Sequence, residues 1–313
     1  MARAFVFPGQ GSQAVGMGQE LAEAFPVARE VFEEVDEALK QNLSKLMAEG
    51  PEGDLTLTEN AQPALMAVSL AAMRVLESES GKSLSDMASL VAGHSLGEYS
   101  ALAAAKALSI SDAARLLKLR GRSMQKAVPV GEGAMAAVLG LSLEDAEAVA
   151  EEAAQGEVCA AANDNADGQV VLSGAKAAIE RAVEIAKGKG AKRAVLLPVS
   201  APFHCALMQP AAEAMEEALA NATINAPSVP LVANVVAEKV VDPTRIRELL
   251  VEQVCGRVRW RESVLYMKSQ DVDTLVEVGS GKVLTGLVRR ISRDMTGVAV
   301  NTPADVEAFL SSL

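Results

Sequence analysis

A serine hydroxyl becomes a useful nucleophile only beside a base, and histidine, the usual base, occurs here just twice in 313 residues. Ser95 lies in Gly93-His94-Ser95-Leu96-Gly97, which fits the G-x-S-x-G pattern of a sharp strand-to-helix turn. Flanking glycines suit such a turn because its backbones approach too closely for Cβ atoms. The turn would lift the Ser95 hydroxyl to a helix N-terminus, where N–H groups and the dipole favour a developing anion. His94 adjoins the serine, and neighbouring side chains point apart, so it is a poor partner. His204, in Ser200-Ala201-Pro202-Phe203-His204-Cys205, is left as the base by elimination. The bland alternatives are a chance match at a tight turn and, for His94, a structural histidine. Cys205 has no comparable turn around it and reads as a packing cysteine.

A second chemical feature lies on the helical stretch Ser111 to Ala127. Its apolar stripe is Ala113, Leu116, Leu117, Met124 and Ala127, and Arg120 falls within that stripe. Arg115, Lys118, Arg122 and Lys126 form the opposite face, which reads as solvated. A guanidinium directed inward needs an anionic or hydrogen-bonding partner, and no acid lies at i±3 or i±4. Two readings stand: a structural pair with a distant Asp or Glu, or a bidentate clamp for a substrate carboxylate.

The elements that must hold these residues read as α/β. Ala4–Phe7 is a short buried strand stopped by Pro8-Gly9-Gln10-Gly11, and helix is expected from Phe25 to Met47, broken by Pro26. Another helix covers Ala61 to Glu79 with Pro63 in its first turn. The apolar strand Ser89–Ala92 leads into the serine turn, and the helix Glu98–Leu108 follows. From about residue 130 to 198 the order is β-α-β-β-α-β, the split-βαβ, ferredoxin-like pattern, with Asn163–Gly168 as its hairpin connection. Beyond it, strands near Leu231–Val236, Thr274–Val278 and Val298–Val300 alternate with helices, implying a parallel sheet covered on both faces. The expected organisation is a large domain, 1–129 and 199–313, interrupted by a small subdomain, 130–198.

Composition removes several function classes. Lys plus Arg number 29 against 41 Asp plus Glu, a net charge of -12, and the aromatics are one Trp, two Tyr and six Phe. A general nucleic-acid binder needs a basic face and stacking platforms, so none is expected. Three widely spaced cysteines show no metal spacing and fit a reduced compartment. No window approaches the roughly 18 apolar residues of a membrane span, and the N-terminus lacks a signal-peptide core. A cytoplasmic protein without metal, membrane or nucleic-acid partner is expected. Gly9-x-Gly11-x-x-Ala14 fits a dinucleotide fingerprint, yet residues 27–47 read as helix where that fold needs a strand with an acidic end.

Several segments together resemble one family. PGQGSQ at 8–13, GHSLGEYSA at 93–101, LRGRSMQ at 119–125, GAMAAVLGL at 133–141, PFHCALM at 202–208 and GKVLTGL at 281–287 are similar to the malonyl-CoA:acyl carrier protein transacylases. These belong to the acyltransferase family shared by bacterial fatty-acid and polyketide synthesis. The resemblance spans essentially the whole chain. It implies an α/β-hydrolase-like core with a ferredoxin-like insert, no cofactor, and ping-pong transfer from malonyl-CoA to acyl carrier protein through an acyl-Ser95. It also implies that Arg120 binds the malonyl carboxylate and that the Gln10 and Leu96 N–H groups form an oxyanion hole. Gln253 would orient His204 through its main-chain carbonyl, with Gln62 and Asn163 near substrate. Phe203 resembles malonyl-selective members, whereas Ser280 stands where the family pattern has proline.

A serine esterase or thioesterase would use the same Ser–His pair, and a carrier-binding module without chemistry is the non-enzymatic rival. A monomer is expected. Docking of an acidic carrier protein would need local basic patches, among Arg115, Lys118, Arg122 and Lys126, Lys187, Lys189, Lys192 and Arg193, or Arg289, Arg290 and Arg293.

Overall fold

From Ala4 to Phe7 the chain is apolar at every position, a run that is satisfied only inside a sheet covered on both faces. The computed structural model describes residues 2–313, and there Ala2–Phe7 is β1, in the interior of a six-stranded sheet. The remaining strands are β2 Leu90–Gly93, β3 Gly133–Leu139, β4 Cys159–Ala166, β5 Gln169–Ala175, β6 Arg193–Leu196, β7 Leu231–Val232, β8 Lys239–Val240, β9 Val272–Val278 and β10 Thr296–Val300. The large sheet has the order β10-β9-β1-β2-β7-β8, parallel except for the edge strand β8. Phe5 and Phe7 join one core with the long helix Thr58–Ser80. Ala4 and Val6 join another, with Trp260, Val264, Leu284 and Val288.

Register decides where chemistry can sit. Ala4 pairs with Leu90 and Phe7 with Gly93, so β1 and β2 end side by side. The loops leaving them, 8–13 and 93–97, therefore share the C-terminal edge of the parallel sheet, where open α/β sheets bind ligands. Ser280 fastens the first loop by donating its hydroxyl to Ser12 O at 2.7 Å. A proline there has no hydroxyl to make that bond.

A second, antiparallel sheet has the order β4-β5-β3-β6. Helices Leu143–Ala154 and Lys176–Gly188 cover one face around Val138, Val149, Leu172 and Ile179. Met135, Ala162 and Val171, from the same sheet, belong instead to the core of the large sheet.

Several boundaries differ from the sequence expectation. Residues 163–166 are strand and not connection, because β4 continues to Ala166, leaving Asp167-Gly168 as the turn. Asp164 and Asn165 are tolerated in it because each is engaged elsewhere: the Asp164 N–H donates to Val258 O, the Asp164 carboxylate meets Arg261, and Asn165 meets His94. Pro26 opens a helix, Pro26–Leu39, at the position where a missing N–H is harmless, and Leu43–Glu49 is separate. The helix Thr58–Ser80 begins three residues earlier than expected, so Pro63 lies inside it. The strand expected over 231–236 stops at Val232; the backbone then turns, with Ala237 at φ 55°, and returns as β8. Helix Gly97–Ala104 is shorter than expected, ending before Lys106 at φ 63°. Lys118 is buried and not solvated, with Nζ 2.8 Å from Asn60 Oδ1 and 3.2 Å from Glu59 Oε2.

Candidate active site

The strand–turn–helix around Ser95 forms as the two glycines require. A Cβ on Gly93 would stand 1.9 Å from the Gly97 carbonyl, and one on Gly97 would stand 2.2 Å from Phe7 O. Ser95 itself is held at φ 53°, a left-handed conformation that side chains seldom adopt. His204 shares it at φ 56°, so both ends of the pair sit in backbone held by its surroundings.

The pair meets across 109 positions of sequence, with Ser95 Oγ 2.7 Å from His204 Nε2. His204 Nδ1 lies 2.8 Å from the Gln253 main-chain oxygen. Since a carbonyl can only accept, Nδ1 carries the proton and Nε2 offers its lone pair to the serine. Burial, and then the positive charge of Arg120, pull the imidazole down to about 3. His94 points away, with Nε2 2.8 Å from Asn165 Oδ1 and its ring 5.6 Å from that of Trp260. Burial also lowers its proton affinity. Cys205 is buried and donates to Pro202 O.

Arg120 is turned inward and is 1% exposed. Its Nη1 donates to Gln62 Oε1 at 2.8 Å, and its Nη2 donates to Gln253 Oε1 at 2.7 Å and Ser95 Oγ at 3.2 Å. Among the described residues its Nε–H has no acceptor. Every partner is neutral, so the distant acid of the structural reading is not at hydrogen-bond distance. Gln62 is braced in turn by donating to Thr58 Oγ1, whose hydroxyl donates to Gln10 Oε1.

These groups open onto a cavity of about 570 Å³, lined in part by Gln10, Leu96, Gln62, Asn163, Met135 and Phe203. Among the described residues neither the Gln10 nor the Leu96 main-chain N–H meets a protein acceptor. Asn163 is buried at the cavity wall. All eight residues singled out from the sequence therefore gather at one site. Gln253 alone is not among the cavity-lining residues; it stands behind His204 and Arg120, hydrogen-bonded to both.

Two residues were missed. Asn234 Oδ1 accepts the Ser95 N–H at 2.8 Å, and its Nδ2 donates to Gly93 O at 2.7 Å. Glu98 is 1% exposed and accepts from Asn234 N and Gln253 Nε2. Burial pushes its carboxyl up to about 7 against those hydrogen bonds and the charge of Arg120. Each leaves a trace in the sequence, as a polar residue inside an apolar run: Leu231-Val232-Ala233-Asn234-Val235-Val236 for one, and an otherwise buried small-residue helix for the other.

Residues 4–305 match the acyl transferase domain family. The chain belongs to the acyl transferase family. Within it, the chain is 48% identical over 307 residues to the malonyl CoA-acyl carrier protein transacylase of Escherichia coli K12, covering 98% of each protein. It is 46% identical to the protein of that name from Bacillus subtilis, covering 99% of this chain and 96% of the relative. Among solved structures, an acyl-carrier-protein-S-malonyltransferase from Bartonella henselae superposes with a TM-score of 0.97 at 57% identity, covering 100% and 99% of the chains. A malonyl-transacylase in complex with its type II PKS acyl-carrier protein gives 0.97 at 44% identity, covering both chains fully. This acyltransferase has no helix long and apolar enough to cross a membrane, and no cluster of metal ligands, among its described residues.

Proposed function

We propose that this acyltransferase moves a malonyl group from malonyl-CoA to the phosphopantetheine thiol of acyl carrier protein, through a malonyl ester of Ser95. The observation that carries the reading is Arg120: a buried guanidinium with only neutral partners, 3.2 Å from the nucleophile. A charge so placed matches an acyl group that ends in a carboxylate and penalises a neutral chain.

His204 Nε2 takes the Ser95 proton as Oγ attacks the thioester carbon, and the imidazolium is steadied by Gln253 O. The oxyanion is received by the Gln10 and Leu96 N–H groups, which are preorganised at the cavity wall. Collapse breaks the C–S bond, and His204 returns the proton to the departing CoA sulfur. The carrier thiol then gives its proton to His204, attacks the ester, and Ser95 leaves with the proton restored. Gln62 holds Arg120 from one side, and Asn163 lies where the acyl or pantetheine portion passes.

The fold reading that goes with this is an α/β-hydrolase-like domain, 1–129 and 199–313, interrupted by a ferredoxin-like subdomain, 130–198. Support comes from the parallel sheet with its serine turn and from the β4-β5-β3-β6 order of the small sheet. Carrier docking falls to basic residues that lack internal partners. Arg115, Arg122, Lys187 and Lys189 are each engaged by an acid, whereas Lys126 is exposed, two residues on from the cavity residue Met124.

Intact-protein mass spectrometry after mixing with malonyl-CoA tests the reading. A single malonyl adduct on Ser95, discharged by carrier protein and absent in Ser95→Ala, is expected. Hydrolysis of malonyl-CoA faster than transfer to carrier protein would replace the transferase by a thioesterase.

A further inference from the structure

Glu98 is an acid that no step above uses, yet it is buried beneath the nucleophile. It stands in the first turn of Gly97–Ala104, a helix in which every residue is buried. Placing a carboxylate there carries a desolvation cost that hydrogen bonds must offset. Its Oε2 accepts two: from the Asn234 N–H at 3.0 Å and from Gln253 Nε2 at 2.9 Å.

Those two donors belong to the residues that hold the reacting groups. Asn234 Oδ1 takes the Ser95 N–H, and Asn234 Nδ2 ties Gly93 O, so Asn234 clamps both sides of the turn. Gln253 holds His204 Nδ1 through its main-chain oxygen and Arg120 Nη2 through its side-chain oxygen. Arg120 and Glu98 thus sit at opposite ends of one amide, with C=O toward the guanidinium and NH2 toward the carboxylate. The second proton of that NH2 faces Ser95 O at 3.0 Å. An acceptor at position 98 therefore fixes the Gln253 side chain, and with it the pose of the cation.

We propose that Glu98 is a positioning residue for acyl transfer, acting through Gln253 on Arg120 and through Asn234 on the serine turn. The proposal rests on the malonyl-transfer reading above. Its signature is selectivity: disturbing the Gln253 arm harms substrates that need Arg120 more than substrates that do not. A residue that merely supported the helix would lower all acylation alike.

The measurement is single-turnover acylation of Ser95, followed by intact mass, with malonyl-CoA and with acetyl-CoA, the same thioester without the carboxylate. Wild type that forms no malonyl-serine would remove the functional reading itself, independently of Glu98. Glu98→Met keeps length and removes the acceptor. It should lower the malonyl rate about tenfold more than the acetyl rate, the size of one hydrogen bond to a charged group. Glu98→Gln, which retains an acceptor oxygen, should recover most of that ratio. In a Gln253→Ala background, Glu98→Met should leave the malonyl-to-acetyl ratio where Gln253→Ala alone puts it. If Glu98→Met does not fold, Glu98→Asp withdraws the carboxylate by one methylene and should shift the ratio the same way. Equal loss for both substrates, or a ratio change that persists without the Gln253 side chain, overturns the proposal.

Discussion

At the scale of single residues, His204 meets Ser95 through one ring nitrogen and a main-chain carbonyl, that of Gln253, through the other. A carbonyl fixes the tautomer but adds no full negative charge to stabilise an imidazolium, and Arg120 nearby opposes one. Burial first, and then the charge of Arg120, hold His204 neutral far below the usual histidine range, at about 3, against the Gln253 hydrogen bond. The consequence for stability has a definite sign. Between pH 6.5 and about 3 the unfolded chain binds a proton that folded His204 refuses, so this residue destabilises the fold progressively as pH falls through that window. The consequence for activity is that free-enzyme kcat/KM for malonyl-CoA should lack an ascending limb centred near 6.5. NMR of the ring protons is simple with two histidines, and Arg120→Met should raise the His204 midpoint. A wild-type His204 titrating near 6.5 would contradict this account.

At the scale of elements, the serine turn exists because β2, the helix after it and the end of β1 converge closer than any Cβ permits. Gly93→Ala and Gly97→Ala would each set a methyl about 2 Å from main-chain atoms that cannot step aside. Each should cost roughly 3 kcal/mol or more in urea unfolding, beyond ordinary overpacking, and should abolish Ser95 acylation. Gly286 is the control, exposed on helix Val283–Ile291 with nothing within 4 Å of where a methyl would stand. Gly286→Ala should stabilise by about 0.5–1 kcal/mol with acylation intact. A harmless Gly97→Ala would mean that the turn is looser than its contacts indicate. The turn was legible in the sequence because its constraint is local: two glycines, a serine, an apolar run before and a helix after. Arg120 was legible because a cation in an apolar stripe breaks a 3.6-residue pattern. Asn234 and Glu98 show in the sequence only as polar residues among apolar ones and their pairing does not, since the bond between them joins positions 136 apart, and Gln253 meets Glu98 across 155. Periodicity carries no information at that separation. The misread hairpin at Asn163–Gly168 has the same origin, as its polar residues meet partners remote in sequence, Val258 and His94.

At the scale of the whole molecule, the two sheets share one cavity, and strand β4 is where they are fastened. Asn163 forms an isolated bridge with Val258, Asn165 meets His94 beside Ser95, and Asp164 meets Arg261 of helix Trp260–Ser269 at 2.9 Å. The Asp164 side chain is 1% exposed and that of Arg261 28%, so the acid is the desolvated partner. Burial raises the Asp164 carboxyl despite the guanidinium, which means that desolvation outweighs the attraction in the folded state. The two ends of the pair should therefore respond unequally. Asp164→Asn removes the buried charge and should cost little, about 1 kcal/mol for a weakened hydrogen bond. Arg261→Met leaves the carboxylate without its cation and should cost about 2 kcal/mol or more, with the Asp164 midpoint rising further. Because β4 also carries Asn163 and Asn165 into the cavity wall, while Ser95 and His204 are held from the large sheet, the kinetic effect of Arg261→Met should fall on binding. KM for malonyl-CoA should rise severalfold while the single-turnover rate at saturation stays within about twofold. A fall in that rate as large as the rise in KM would show that the small sheet also sets the Ser95–His204 geometry, through the segment 197–203 that leads from β6 to His204.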